Sequence, residues 1–115
     1  MVLWIGFDLQ AEIEARDDSN STALHYAAGY GKEAVASRLL QAVAIVGAVY
    51  DNNSTPLHWA AFYGKSSIAN LLLQANASPT AVNKYGDTPS QCAKRQSHGD
   101  LAARLLEAEQ AAALK

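Results

Sequence analysis

Asn20–Lys32 reads NSTALHYAAGYGK, and Asn53–Lys65 reads NSTPLHWAAFYGK. The second stretch restates the first 33 residues later (53 − 20) and departs from it only at Ala23/Pro56, Tyr26/Trp59 and Gly29/Phe62. A weaker third copy keeps the interval. Thr22, Thr55 and Thr88 precede TALHYAA, TPLHWAA and TPSQCAK, Gly31, Gly64 and Ser97 follow, and then come AVASRLLQA, SIANLLLQA and DLAARLLEA. The frame divides the chain into units 17–49, 50–82 and 83–115. Residues 1–16 fit as a partial preceding unit, with AEIEAR (Ala11–Arg16) in the place of ASPTAV (Ala77–Val82). A fixed period of this length marks stacked supersecondary units, each too small to bury its own apolar face.

Each unit reads as helix, turn, helix and extended loop. Thr55 suits an N-cap and Pro56 the first helical position, where no amide hydrogen is needed. Leu57, Ala60 and Ala61 give a slim helix face that lets neighbours approach closely. Gly64 supplies the positive φ that ends this helix. Ile68, Leu71, Leu72 and Leu73 then recur at helical spacing and require burial.

The 115 residues form a single domain by length, and half of them are hydrophobic, unlike a disordered tail. The net charge is −2 with no basic block, which argues against nucleic acid as the partner. A single cysteine, Cys92, excludes an internal disulfide and suits the cytoplasm or another reducing intracellular compartment. The opening MVLWIGF is too short to span a membrane and lacks a basic leader, so no membrane insertion is expected. The sequons at Asn20, Asn53 and Asn76 are read as turn chemistry rather than glycosylation sites.

These units resemble ankyrin repeats, which carry a G-x-TPLHxAA-x-x-G stretch and an LL-x-x-GA stretch in a 33-residue period. The match is good over Asp17–Lys115 and weak over Met1–Arg16. The resemblance implies an all-α solenoid of about three and a half helix-turn-helix units with projecting hairpin-like loops. It also implies protein binding through loop tips and the inner helix face, and no catalysis. Ser90, Gln91 and Lys94 depart from the pattern in the third unit and are expected to face water, as on a capping repeat. Arg38 and Arg104 in the place of Leu71 point to the outer surface. Asn76 and Val43 stand where the family has glycine, so the Val43–Tyr50 loop is expected to be a distorted or apolar finger. Met1–Phe7 is expected to be the remnant of a helix whose open side favours self-association.

Candidate chemistry is sparse. His25 and His58 lie on neighbouring repeats roughly 8–10 Å apart, too far to share a metal bound at about 2 Å. Each is expected to hydrogen-bond backbone or threonine near its own loop. His98 reads as solvated. Cys92 lacks an orienting acid and an oxyanion site, so it reads as a packed thiol. No catalytic, cofactor or metal residues are expected.

The aromatic residues carry the functional reading, because Tyr and Trp dominate binding hot spots. Tyr30, Trp59, Phe62 and Tyr63, with Arg95 and Gln96, are expected to anchor a partner protein. Tyr26 and Trp59 could equally fill space between repeats. Loop residues Asp51, Asn52, Ser54, Lys84, Tyr85 and Asp87, with Asp18, Ser19 and Ser21 in the first unit, are expected to add polar selectivity. Acidic fingers at one end, and Lys84, Lys94 and Arg95 at the other, would give a charge gradient. Three other readings stand beside a protein-binding module. The chain could be a regulatory or targeting piece of a larger enzyme or channel, which its end on a repeat boundary suits. It could be an engineered binder, or an enzyme or small-ligand binder in its own right.

Overall fold

A computed structural model describes residues 22–41 and 54–113. Its helices are α1 (Ala23–Tyr30), α2 (Glu33–Gln41), α3 (Pro56–Phe62), α4 (Ser66–Gln74), α5 (Pro89–Arg95) and α6 (Gly99–Ala113), with no strand among the described residues. Each consecutive pair forms one repeat. The first helices α1, α3 and α5 stack in one row, and α2 packs on α4 behind them. The expected all-α repeat architecture is what the chain adopts. The Met1–Phe7 and Val43–Tyr50 expectations, the loop residues Asp18, Ser19, Ser21, Asp51 and Asn52, and the sequons at Asn20 and Asn53 lie outside the described residues.

The repeated TxxH motif determines how each first helix starts. Thr22, Thr55 and Thr88 are extended N-caps whose hydroxyls accept from the N–H three residues on. The residue at that third position returns the bond. Thr55 N–H donates to His58 Nδ1 at 3.0 Å, and Thr88 N–H donates to Gln91 Oε1 at 2.9 Å. These are capping boxes with histidine or glutamine in the role usually held by glutamate. At the far end, Gly31 and Gly64 both adopt φ +71°, and Ser97 takes the equivalent place at φ +65°. Asn76 ends α4 at φ 70°, the left-handed conformation that asparagine tolerates.

The second nitrogen of each histidine does more than sequence spacing suggests. His25 Nε2 donates to the Ser54 carbonyl and His58 Nε2 to the Asp87 carbonyl, each at 3.0 Å and each 29 residues further on. Each imidazole therefore ties its own helix start to the loop entering the next repeat. A carbonyl only accepts, so Nε2 carries the proton. Nδ1 receives a backbone N–H, so it is bare and the ring is neutral.

Small residues fill the space between helices. Ala28, Ala60, Ala61, Ala69 and Ala93 are wholly buried beside Leu57, Leu72, Ile68 and Leu105. Arg38 and Arg104 are exposed, as the leucine register implies, and Arg104 Nη1 donates to Asn70 Oδ1 at 3.0 Å across two second helices.

Two expectations need correction. His98 is half-buried and bonded rather than simply solvated. Its ring lies over Gly64, where a Cβ would come within 2.7 Å of it, and its Nε2 donates to the Phe62 carbonyl at 3.1 Å. It satisfies a free carbonyl at the end of α3. Ser90 does not face water. It is buried and donates to Glu109 Oε1 at 3.0 Å, pinning α5 to α6. Gln91 and Lys94 are exposed as expected. Lys94 stands where Ala61 is packed between repeats.

Two outcomes follow. Leu72→Ala should cost about 2–5 kcal/mol of unfolding free energy, because the side chain is fully enclosed and leaves a cavity. Burial holds the His58 pKa below its ordinary 6.5, while hydrogen bonds from the ring to the backbone of Asp87 and Ala81 and the charge of Asp87 oppose this without prevailing. The unfolded chain then binds a proton at a pH where the folded one does not. The contribution of His58 is fully present above pH 6.5, is lost as pH falls towards the folded-state pKa, and changes no further below it. His58→Gln keeps the capping box but drops the bond to Asp87. It should cost about 1–3 kcal/mol at pH 7.5 and flatten the stability–pH slope, read from urea midpoints between pH 5 and 7.5.

Candidate functional site

The inner face of the helix row opens into a groove of about 310 Å³ between the second and third repeats. Its floor and one wall come from α3, which contributes His58, Trp59 and Phe62, with Tyr63 just beyond. Asn83, Tyr85 and Asp87 form the loop wall, and Cys92, Arg95 and Gln96 close it from the third repeat. Of the residues proposed from sequence, Ser54, Trp59, Phe62, Tyr63, Tyr85, Asp87, Arg95 and Gln96 meet here.

They do not share one role. Phe62, Tyr63 and Tyr85 are 43%, 52% and 65% exposed, large values for aromatic rings. Phe62 and Tyr63 meet edge to face, with centroids 4.9 Å apart at 74°. Trp59 is half-buried and belongs largely to the packing between repeats. A Cβ at Gly29 would sit 2.9 Å from its Cε3. Its ring also meets the edges of Tyr26 at 5.8 Å and His25 at 5.4 Å. Tyr30 lies outside the groove, stacked on Tyr26 with rings 6.2 Å apart and nearly parallel. Lys84 also lies beside rather than inside it, with Nζ 5.3 Å from the Tyr85 ring centre.

Asp87 and Ser54 require correction as selectivity residues. Both are buried, and both have their carbonyls held by histidines. The Asp87 carboxylate meets Arg95 Nε at 2.9 Å, with the aspartate side chain 11% exposed and the arginine 67%. Asp87 thus positions Arg95 rather than presenting a charge. The expected charge gradient weakens accordingly, because Arg95 is half-answered.

Asn83 was not anticipated. It is buried, and its Oδ1 accepts from the N–H groups of Tyr85 at 2.9 Å and Asp87 at 3.1 Å. Its own N–H donates to the Asp87 carbonyl at 3.1 Å. These bonds fold residues 83–87 into a tight turn that aims Tyr85 at the groove. The local signal was an asparagine three residues before a glycine, the usual composition of such a turn. Gly86 takes φ +80°, at the position that Asn20 and Asn53 hold in the earlier units.

Cys92 lines the groove, but its thiol is pushed up to about 11 by burial, with Asp87 adding to the shift and Arg95 opposing it. It stays protonated at neutral pH and is a poor nucleophile. Its Sγ accepts from Asn83 Nδ2 at 3.8 Å. Among the described residues no group of three or more His, Cys, Asp or Glu side chains could hold a metal ion, and no helix is long and apolar enough to cross a membrane. The arrangement can present rings, amides and one oriented guanidinium to a surface laid across it.

The family described as ankyrin repeats (3 copies) matches residues 3–83 and 47–114 of the chain. No curated protein matches it.

The Gly29–Trp59 contact makes a test with a change of sign. Gly29→Ala gains helix propensity of about 0.5–1 kcal/mol but forces the indole aside, at a cost of about 1–3 kcal/mol. The single variant should be destabilised. In a Trp59→Leu background the same substitution should stabilise, since the ring is gone. A double-mutant cycle by chemical denaturation reads the coupling, and additive effects would show that the contact does not shape the stack.

Proposed function

Because the chain belongs to the ankyrin-repeat family, whose members are generally protein–protein interaction modules and typically non-catalytic, we propose that it binds a partner protein in the groove between its second and third repeats. The observation that carries this reading is the exposed ring pair Phe62–Tyr63 facing Tyr85 across a groove that also holds an oriented Arg95. Rings cost little conformational entropy to immobilise and bury large areas, so they suit the centre of a recognition surface. The walls are rigid on both sides. Helix α3 is capped at its start, and the loop wall is held by Asn83 and by the His58 bond to Asp87. A preformed surface of this kind spends little binding energy on ordering itself. Tyr30 extends the same face one repeat away and would contact only a longer partner.

The test separates surface from core. After a partner is captured by affinity pull-down and identified by mass spectrometry, Phe62→Ala combined with Tyr63→Ala should weaken its binding by about 2–4 kcal/mol. Thermal stability should change little. If the double variant unfolds while affinity per folded molecule stays the same, the two rings belong to the core and the groove assignment fails.

A further inference from the structure

We infer, resting on the groove reading above, that the occupant is an extended acidic peptide segment that places an apolar side chain against Phe62 and a carboxylate on Arg95. Phe62 and Arg95 are equivalent positions, since 95 − 62 = 33, the length of one repeat. They stand at the same place on successive first helices, α3 and α5. Neighbouring helices pack roughly 8–10 Å apart, and a peptide in the extended polyproline II conformation advances about 3.1 Å per residue with every third side chain on the same face. Such a peptide lying along the row meets the two positions with side chains about three residues apart.

The chemistry of the two ends differs. Beside Phe62 the groove is lined by Trp59 and by Cys92, whose thiol is neutral, so an apolar side chain is matched there. At Arg95 the guanidinium is fixed on one edge only. Nε is engaged by Asp87, itself buried and held through its N–H by Asn83. The remaining N–H groups belong to a side chain 67% exposed, which leaves room for a second carboxylate. Asp87 is the one acidic residue lining the groove among the described residues, and it is spent on this orienting bond. Lys84 beside Tyr85 adds a second cation at the rim. Arg95 and Asp87 balance each other within the lining, and Lys84 at the rim brings the groove and its edge to one net positive charge, although the chain as a whole carries −2.

Selection of random twelve-residue peptides displayed on phage against the immobilised chain tests this. The expected outcome is enrichment of an apolar residue followed or preceded, about three positions away, by Asp or Glu. A synthetic peptide of the enriched sequence should bind about two- to fivefold more weakly when its acidic residue is changed to Gln, the range for an exposed ion pair. The difference should shrink at high salt. Arg95→Gln should abolish the acidic preference while the apolar one persists. The peptide's own Glu→Gln change gives the same information if Arg95→Gln loosens the Asp87 turn. Enriched peptides that depend on Phe62 and Tyr63 but carry no acidic preference would overturn this inference and leave the groove reading intact. If no enriched peptide depends on those two rings, the groove reading itself falls, and this inference with it. Self-association of the chain lost in the Phe62→Ala, Tyr63→Ala variant would put a second copy in the groove and overturn the peptide assignment.

Discussion

One hydrogen bond, from a neutral imidazole to a carbonyl 29 residues away, organises the stack. A neutral ring can make it only as the tautomer that leaves Nδ1 bare. That condition is met because the N-cap threonine turns its own N–H towards the ring, at 3.2 Å in the first described repeat and 3.0 Å in the second. Helix capping and repeat stacking are thus one structure, satisfying an orphan donor on one side and a loop carbonyl on the other. The third repeat separates the two roles, since Gln91 keeps the capping bond at Thr88 while its side chain is exposed.

The consequences reach the groove through Asp87. Its carbonyl is held by His58, its N–H by Asn83, and its carboxylate by Arg95. Three elements converge on a single buried residue, so the loop wall inherits the rigidity of the stack. The floor has a different origin. Trp59 reaches back to Gly29 in the preceding repeat, filling the space that a side chain at that position would need. One repeat on, Phe62 stands in the place of Gly29 and Cys92 in the place of Trp59. The large and small partners are exchanged. A phenylalanine projecting from the first helix cannot cover the volume that an indole reaching backwards would fill, and the remaining space is the groove.

The period of 33, the Thr-Pro start and the Gly31 and Gly64 stops made the architecture legible, because each is a local signal with a single conformational meaning. The far end of each histidine bond was not legible. A contact between one repeat and the next has the same sequence separation everywhere, and so leaves no local pattern to read. The same holds for His98 on the Phe62 carbonyl and for Ser90 on Glu109, which cross between elements and convert apparently solvated residues into structural ones. Repeat alignment places Phe62, Tyr63, Arg95 and Gln96 at equivalent positions, and all four line the groove. Their division of labour was not. A tryptophan at position 59 can be core or surface, and only the glycine opposite, 30 residues earlier, decides. Asp87 looked like a displayed charge because its partner Arg95 lies at the far end of the helix that follows it.

The near-identity of the first two units then has a physical reading. Thr22/Thr55, Leu24/Leu57, His25/His58 and the paired alanines are buried, and each makes a contact that any neighbour of the same kind can receive. Changing one of them alone breaks the translation on which stacking depends. Positions 62 and 95 are under no such constraint, and the row 29, 62 and 95 runs from no side chain, through an aromatic ring, to a cation. Positions 30, 63 and 96 run from tyrosine through tyrosine to glutamine beside them. A scaffold that fixes the inner residues by symmetry leaves these two rows free to vary without loss of stability, except where a bulky neighbour such as Trp59 demands a glycine. Recognition can therefore be graded along the stack, apolar in the middle and charged at the end, while every repeat folds by the same bonds.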